Sequence, residues 1–529
     1  MKIVKYTFAS LLMAGFLGSC SSDYLGTEPT SSVSEKVATE TLTGLEGMVN
    51  GLHSMTYIYN FDQIDGTGMA SLNYDLDALG DDYINTKPAY LMSLYRWEDH
   101  INPEGSYNYY VWDYLYTLIL HANKIINKSA ALTNVDEAEL SLYQGTAYAY
   151  RAMAYHKLVQ LFGKRFVKGA ANDNLGVILR LTEEEQFEPK ARATVAETYK
   201  QINADMAKAL ELMAKAKAPT GKNCMSLATT NGLAARIALT QEDWAGAEKY
   251  ATQAIEQAKK QLGVDLQEGD ELINGFNNWE SKEWMWAYKQ ANDQDLGYIH
   301  PFVTMSYNFA GHNSGVRFAI NRTIFDKMGK NDVRRKLWVA LDQGLGNLPA
   351  DYDPAYFQIT KQGHQWEYTG QSVKYKAQAK DKSFGDLYIM RVAEMYYIKA
   401  EAEYRQGKTG AAQTTLGTIM ATRDPEYKAT AYTGEELWNE IYRNKRIDLW
   451  GEGSRFFDMK RLKEVPNRLS AANFQYLTAT DQKTATTRNT GKNARAIPTT
   501  IDDPAWEFAI PYREIKGNNL CKQNPLKSL

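Results

Sequence analysis

Apolar residues recur every three to four positions over much of this chain, the spacing of a half-buried helix, and two stretches break that rhythm. A first helix is predicted over 42–57. From Asp62 to Pro103 the period fails. Gly66, Gly68, Gly80, Pro88 and Pro103 interrupt it, and Tyr74, Tyr83, Tyr90, Tyr95 and Trp97 stand among Asp and Asn. This is long-loop composition, and long ordered loops often carry function. Two strong helices follow, Tyr107–Lys128 and Glu137–Phe162, the second closing at Gly163. Further helices are predicted over 194–216, 227–240 and 243–261. Over 265–385 the helical period fades again, and aromatics cluster with Gly and Asn. Residues 283–288, Glu-Trp-Met-Trp-Ala-Tyr, alternate with period two and predict a strand with its rings on one face. After Leu387 a long helix closes at Gly407, a partner covers 411–423, and another runs from Glu435 to Trp450. Residues 466–505 are polar and irregular.

The small residues Ala247, Ala251 and Ala254 behind Trp244 have tetratricopeptide-like spacing, in which small side chains let paired helices approach closely. The implied fold is mainly α. It is a tetratricopeptide-like helical repeat scaffold of about four helix pairs, enough for a stable stack. The repeats cover about 107–262 and 387–450. A loop-rich irregular lobe with a few short strands covers about 62–103 and 265–385, joined by the C-terminal segment. Residues 41–529 form one domain on this reading.

Composition changes the picture in three places. A net charge of −3 gives no whole-chain electrostatic reason to expect nucleic-acid binding. Three cysteines are too few for a disulfide framework; Cys224 and Cys521 could pair, or either could stay a buried free thiol. Tyr outnumbers Phe by 35 to 17, which favours rings with a polar handle. Many of these tyrosines, such as Tyr110, Tyr114, Tyr150, Tyr155 and Tyr397, lie in the predicted helices and serve repeat packing.

The N-terminus reads as an address. Lys2 and Lys5 precede an uncharged apolar run over 6–17, which is shorter than the roughly 20 residues a membrane helix needs. Leu17-Gly18-Ser19-Cys20 then resembles the bacterial lipoprotein box, in which the cysteine thiol receives a diacylglycerol. Residues 1–19 are thus expected to be a signal peptide, Cys20 the lipidation site, and 20–40, rich in Ser and Thr, a lipidated tether.

Several tracts together carry a family resemblance. Arg151-Ala152-Met153-Ala154-Tyr155 leads to Leu158-Val159-Gln160-Leu161-Phe162-Gly163. Arg391-Val392-Ala393-Glu394-Met395-Tyr396 leads to Ala400-Glu401-Ala402. Arg443 to Arg461 reads RNKRIDLWGEGSRFFDMKR, and the tail holds Gln523-Asn524-Pro525. With the lipobox, their order resembles the SusD/RagB family of outer-membrane nutrient-binding lipoproteins of Bacteroidetes. The stretch Leu416–Arg423 departs from the family pattern, lacking an Asn and one Arg, and Asp448 stands where Glu is commoner. The resemblance implies a lipid-anchored outer-membrane protein facing the cell exterior. It further implies a SusC-like TonB-dependent transporter as partner and a glycan as the usual ligand, bound without catalysis. The alternatives are a peptide-binding member of the family and a tetratricopeptide adaptor for envelope proteins.

Candidate chemistry is sparse. The run Glu452-Gly453-x-Arg455-x-x-Asp458-x-x-Arg461 puts charges at i, i+3 and i+6, a spacing that predicts a structural ladder along one helix face rather than catalysis. Arg151, Glu394, Glu401 and Glu403 read as structural ions of the stack. No metal motif or cofactor motif is present; Asp351 and Asp353 alone hint at calcium. What remains is ring-platform binding, because sugars offer C–H faces to aromatics and hydroxyls to amides and carboxylates. Two glycine-containing stretches combine these groups. The candidate ligand residues are Asp82, Asn85, Tyr90 and Trp97 in the first, and Tyr298, Tyr307, Asn308, Phe309 and His312 in the second.

Overall fold

The computed structural model describes residues 41–58, 67–85, 91–219, 221–290, 302–309, 318–340, 350, 370–379, 384–473 and 497–526. Cys20, Tyr90, Tyr298, His312, Asp351 and Asp353 lie outside these residues. The described chain is mainly helical. Its principal helices are α1 (Leu42–Ile58), α2 (Gly68–Leu76), α3 (Ser106–Ser129), α4 (Glu137–Phe162), α5 (Val195–Met213), α6 (Leu227–Thr240), α7 (Trp244–Leu262), α8 (Val392–Arg405), α9 (Thr409–Ala421), α10 (Gly434–Asp448) and α11 (Arg455–Leu462). From α3 to α9 each of these helices packs on the next, and α10 packs on α8 and α9.

Local sequence explains the starts. The Asp136 carboxylate accepts the Glu139 N–H at the head of α4. Thr194 with Glu197, and Ser226 with Thr229, close capping boxes on α5 and α6. In α7 the alanines 247, 251, 254 and 258 are all fully buried, so α7 sits close between α6 and α8. The stack is therefore continuous although residues 263–391 separate α7 from α8 in the chain.

Those residues build the irregular lobe. β1 (Tyr83–Asn85), β3 (Phe318–Ile320), β5 (Gln371–Ser372) and β4 (Trp338–Val339) form an antiparallel sheet in that order, with Tyr83 opposite Ile320. β2 (Trp284–Tyr288) pairs antiparallel with β6 (Leu387–Arg391), and their register is irregular around Trp286. Every residue of β2 is buried, and Trp286 donates its indole N–H to the Tyr288 hydroxyl at 2.8 Å. One core runs through both parts, joining Leu158 and Ile398 of the repeats to Trp286 and Tyr83 of the lobe.

Three expectations need correction. The helix predicted from Leu387 begins at Val392, because 387–391 are drawn into the pairing with β2. The stretch 62–103 is not an open loop where it is described: Leu72, Leu76, Leu79 and Trp97 are completely buried, and α2 lies within it. The charge ladder on α11 is only partly intrahelical. Asp458 and Arg461 do pair at 2.8 Å, whereas Arg455 turns away to Asp81 at 2.7 Å.

Candidate functional site

The charged tracts are the frame around the site. Arg151 grips Asp205 through two hydrogen bonds of 2.9 and 2.6 Å, tying α4 to α5. Glu401 holds Arg461 with two bonds of 2.6 Å. A buried network joins lobe to repeats: Glu283, just before β2, contacts Arg391 at 2.5 Å and Arg423 at 2.7 Å, and Asp448 meets Arg423 at 2.8 Å. Burial alone would raise the Asp448 pKa, but Arg423, Arg391 and Arg334 outweigh it and hold that carboxyl well below the usual range. Glu394 and Glu403 are likewise engaged, Glu394 with Arg236 and Glu403 with the Thr415 hydroxyl at 2.6 Å and Lys399 at 3.2 Å.

Between these ties lies a solvent-open cleft of about 110 Å³. Its walls come from α4 (Lys157, Gln160), α6 (Arg236, Thr240), β6 with the start of α8, and the turn from α10 into α11. Rings form one part of the lining. Tyr375 lies edge-on to Tyr74 at 6.1 Å and to Phe276 at 6.0 Å, and its hydroxyl is 3.1 Å from that of Tyr388. Tyr388 and Phe457 are half-buried and so keep ring surface available.

Polar groups form the rest. The cleft carboxylates are all engaged. Glu394 binds Arg236 at 2.6 Å, Glu452 binds Arg391 and Lys374 at 2.7 and 2.6 Å, and Asp458 binds Lys445 at 2.7 Å. Asp386 accepts the backbone N–H groups of Trp279 and Gln290. Lys157 differs. Its Nζ donates to the Asn73 amide oxygen at 3.1 Å and stands 4.4 Å from the centre of the Phe457 ring. Burial, aided by Arg236, lowers its pKa to about 7 against the pull of Glu394 and Asp77.

The sequence-derived candidates fare differently. Asp82 is a core ion: it receives Arg446 at 2.9 Å, and its backbone carbonyl accepts the Trp450 indole N–H. Trp97 is completely buried against Trp506, Phe456 and His100. Asn85 is buried in β1 beside Tyr95. Asn308 exchanges two hydrogen bonds with the backbone of Ala377. Tyr307 is buried too, while Phe309 is half-buried. These residues hold the lobe together because their partners are internal. β1 of the first stretch pairs with β3, which follows the second, and Tyr83 stacks there on Phe318 at 4.5 Å.

Sequence reasoning passed over Lys157, Arg236, Tyr388 and Phe457, all on regular elements. One signal was available. α4 is buried on nearly every side from Ala147 to Phe162, and a lysine inside such a run calls for a reason. Among the described residues no group of His, Cys, Asp and Glu could hold a metal ion. Cys224 and Cys521 are both free thiols, and burial raises the Cys521 pKa to about 11.

Fold and site together define a helical-repeat protein with an inserted irregular lobe and a cleft where the two meet. The chain matches the family model described as "SusD family" over residues 155–526, and one described as "Starch-binding associating with outer membrane" over 23–239. It belongs to the SusD family. Among curated relatives it is 24% identical over 495 residues to SusD-like protein P2 of Formosa agariphila, covering 88% of this chain and 91% of that protein. It is 29% identical over 166 residues to SusD-like protein P38 of the same organism, covering 31% of this chain and only 30% of that protein. The fold matches a putative sugar binding protein from Bacteroides vulgatus with a TM-score of 0.72 and 23% identity, over 92% of this chain and 98% of that one. It also matches a laminarin binding SusD-like protein with a TM-score of 0.64 and 17% identity, over 92% and 99%.

Proposed function

We propose that this protein binds glycans at the cell surface without altering them and passes them to a SusC-like TonB-dependent transporter. The family match over 155–526 carries this reading, and the lining of the cleft supports it. Tyr388 and Phe457 offer ring surface to sugar C–H faces. Gln160, Asn73 and the paired ions offer fixed partners to hydroxyls. The absence of catalysis is argued from commitment: Glu394, Glu452, Asp458 and Asp386 are each held by cations or backbone N–H groups, so none is poised as a general acid beside a free base.

Attachment to the outer membrane runs through the lipid on Cys20. No helix among the described residues is long and apolar enough to cross a membrane. Cys20→Ser should move the protein from the membrane fraction to the soluble fraction. Calorimetric titration of the mature chain with neutral and acidic oligosaccharides tests the ligand class, and Tyr388→Ala should weaken binding about tenfold while the melting temperature stays close to that of the parent. Tight binding of oligopeptides with no saccharide bound would overturn the glycan reading. Release of shorter sugars from a bound oligosaccharide would overturn the non-catalytic one.

A further inference from the structure

We infer that the cleft takes an acidic glycan, one bearing carboxylate or sulfate groups, and that Lys157 receives the anion. This rests on the glycan reading above and narrows it. Every other cation on the cleft is already matched by a carboxylate, so those groups present hydrogen-bonding capacity without net attraction for an anion. Lys157 is the exception: its contacts are an amide oxygen and a ring face, and it forms no ion pair among the described residues. An ammonium kept in a largely enclosed site without a counter-ion is costly. A ligand oxyanion removes that cost, whereas a neutral sugar hydroxyl does so only in part.

A second observation points the same way. A small recess of about 10 Å³, room for one water or one oxyanion oxygen, adjoins the cleft and shares Gln160, Thr240, Phe457 and Arg461 with it. Its lining adds Lys164 and Arg165, neither of which forms an ion pair among the described residues, and no carboxylate. The Nη1 atom of Arg165 is buried and lacks a hydrogen-bond partner there. A buried guanidinium N–H left open at the edge of the cleft is a donor awaiting an acceptor. A ligand with one anionic group at Lys157 and an oxyanion oxygen at this recess would satisfy both Lys157 and Arg165.

The electrostatics give the inference a pH signature. Burial and Arg236 bring Lys157 to about 7, opposed by Glu394 and by Asp77, itself raised to about 7 by burial. His156 beside it is pushed by burial down to about 3 and stays neutral. An anion binds the charged ammonium, so affinity is flat below that range and falls as pH rises through it. Loss of the Asp77 proton acts in the same direction. The slope is at most about tenfold per pH unit for one linked proton.

Titration calorimetry on the mature chain tests the inference with four probes: tetragalacturonate and a sulfated carrageenan tetrasaccharide against laminaritetraose and maltotetraose. At least one acidic probe should bind at pH 6.5, weaken several-fold by pH 8.5, and lose at least tenfold in Lys157→Met with the circular-dichroism melt preserved. Lys157→Arg should restore binding and keep it at pH 8.5. If Lys157→Met fails to fold, Arg165→Gln carries the same test at the rim. The uronate and sulfate arms separate the two sources of the anion. Neutral probes bound and acidic ones refused would sink the acidic assignment while glycan binding stands. All four refused would sink both. Unchanged acidic affinity in Lys157→Met would remove Lys157 from the site.

Discussion

Trp97 donates its indole N–H to the Leu79 carbonyl oxygen at 3.0 Å and sets its ring edge-on against Trp506 at 4.8 Å. Its backbone has a φ of +64°, a conformation that costs a large side chain about 1–2 kcal/mol. Burial of the whole ring offsets that cost several-fold. Trp97→Ala should therefore lower the unfolding free energy by about 3–5 kcal/mol in a urea titration, while the folded fraction binds glycan with unchanged affinity. A binding role would show the reverse pattern. His53 gives a second residue-scale prediction. Its Nδ1 is 2.8 Å from the Tyr150 hydroxyl, and burial lowers its pKa from 6.5 to about 4. The native state refuses a proton that the unfolded chain accepts below 6.5, so this group's contribution is complete above 6.5 and is lost as pH falls toward 4. Asp77, raised by burial, works in the opposite sense over much of that window, so only a difference against a variant isolates His53. Between pH 7 and 4.5 the stability gap separating wild type from His53→Gln should shrink by roughly 2–3 kcal/mol.

At the scale of elements, helices were readable wherever one period repeated. The bounds of Glu137–Phe162 are legible to the residue because Asp136 caps its start and Gly163 follows its end. The misreading at 387–391 has a physical origin. Leu-Tyr-Ile-Met is apolar at every position, so it fits a buried strand and a buried helix turn equally, and the deciding partner, β2, lies about a hundred residues earlier in the chain. The stretch after Asp62 misled differently. Asp82 reads as a ligand group, yet it holds Arg446, and nearby Asp77 accepts the Gly453 and Arg455 N–H groups while Asp81 pairs with Arg455. Those hydrogen bonds fix the turn between α10 and α11, which also holds Glu452 at the cleft. The turn demands glycine. Gly453 has a φ of +77°, and a Cβ there would lie 2.6 Å from the Asn73 Cα. Gly453→Ala should cost at least about 2 kcal/mol from backbone strain and crowding together. It should also displace Asn73 from Lys157, so glycan affinity falls along with the melting temperature, unlike the effect of Trp97→Ala.

For the whole molecule, the cleft is the part that local sequence conceals. Tyr74, Lys157, Arg236, Tyr388 and Phe457 come from five separate elements, and each looks like packing in its own segment. They meet because residues 263–391 leave the stack after α7 and return to it at α8, bringing β2 and β6 against the repeats. Glu283 is the fastening of that return. It is fully buried, it belongs to the lobe, and both its oxygens are committed to arginines, Arg391 where the chain re-enters the stack and Arg423 just past α9. Glu283→Gln keeps the shape and removes the charge, leaving two buried guanidiniums to share Asp448 and Glu452. Removing one partner from a buried ion network costs about 3–5 kcal/mol. Because one core joins lobe and repeats, that loss should not melt the lobe alone. Calorimetry should record one transition at lower temperature, with near-ultraviolet and far-ultraviolet dichroism falling together. Two resolved transitions would mean that lobe and repeats are separable units, and that the cleft between them is held by something other than this network.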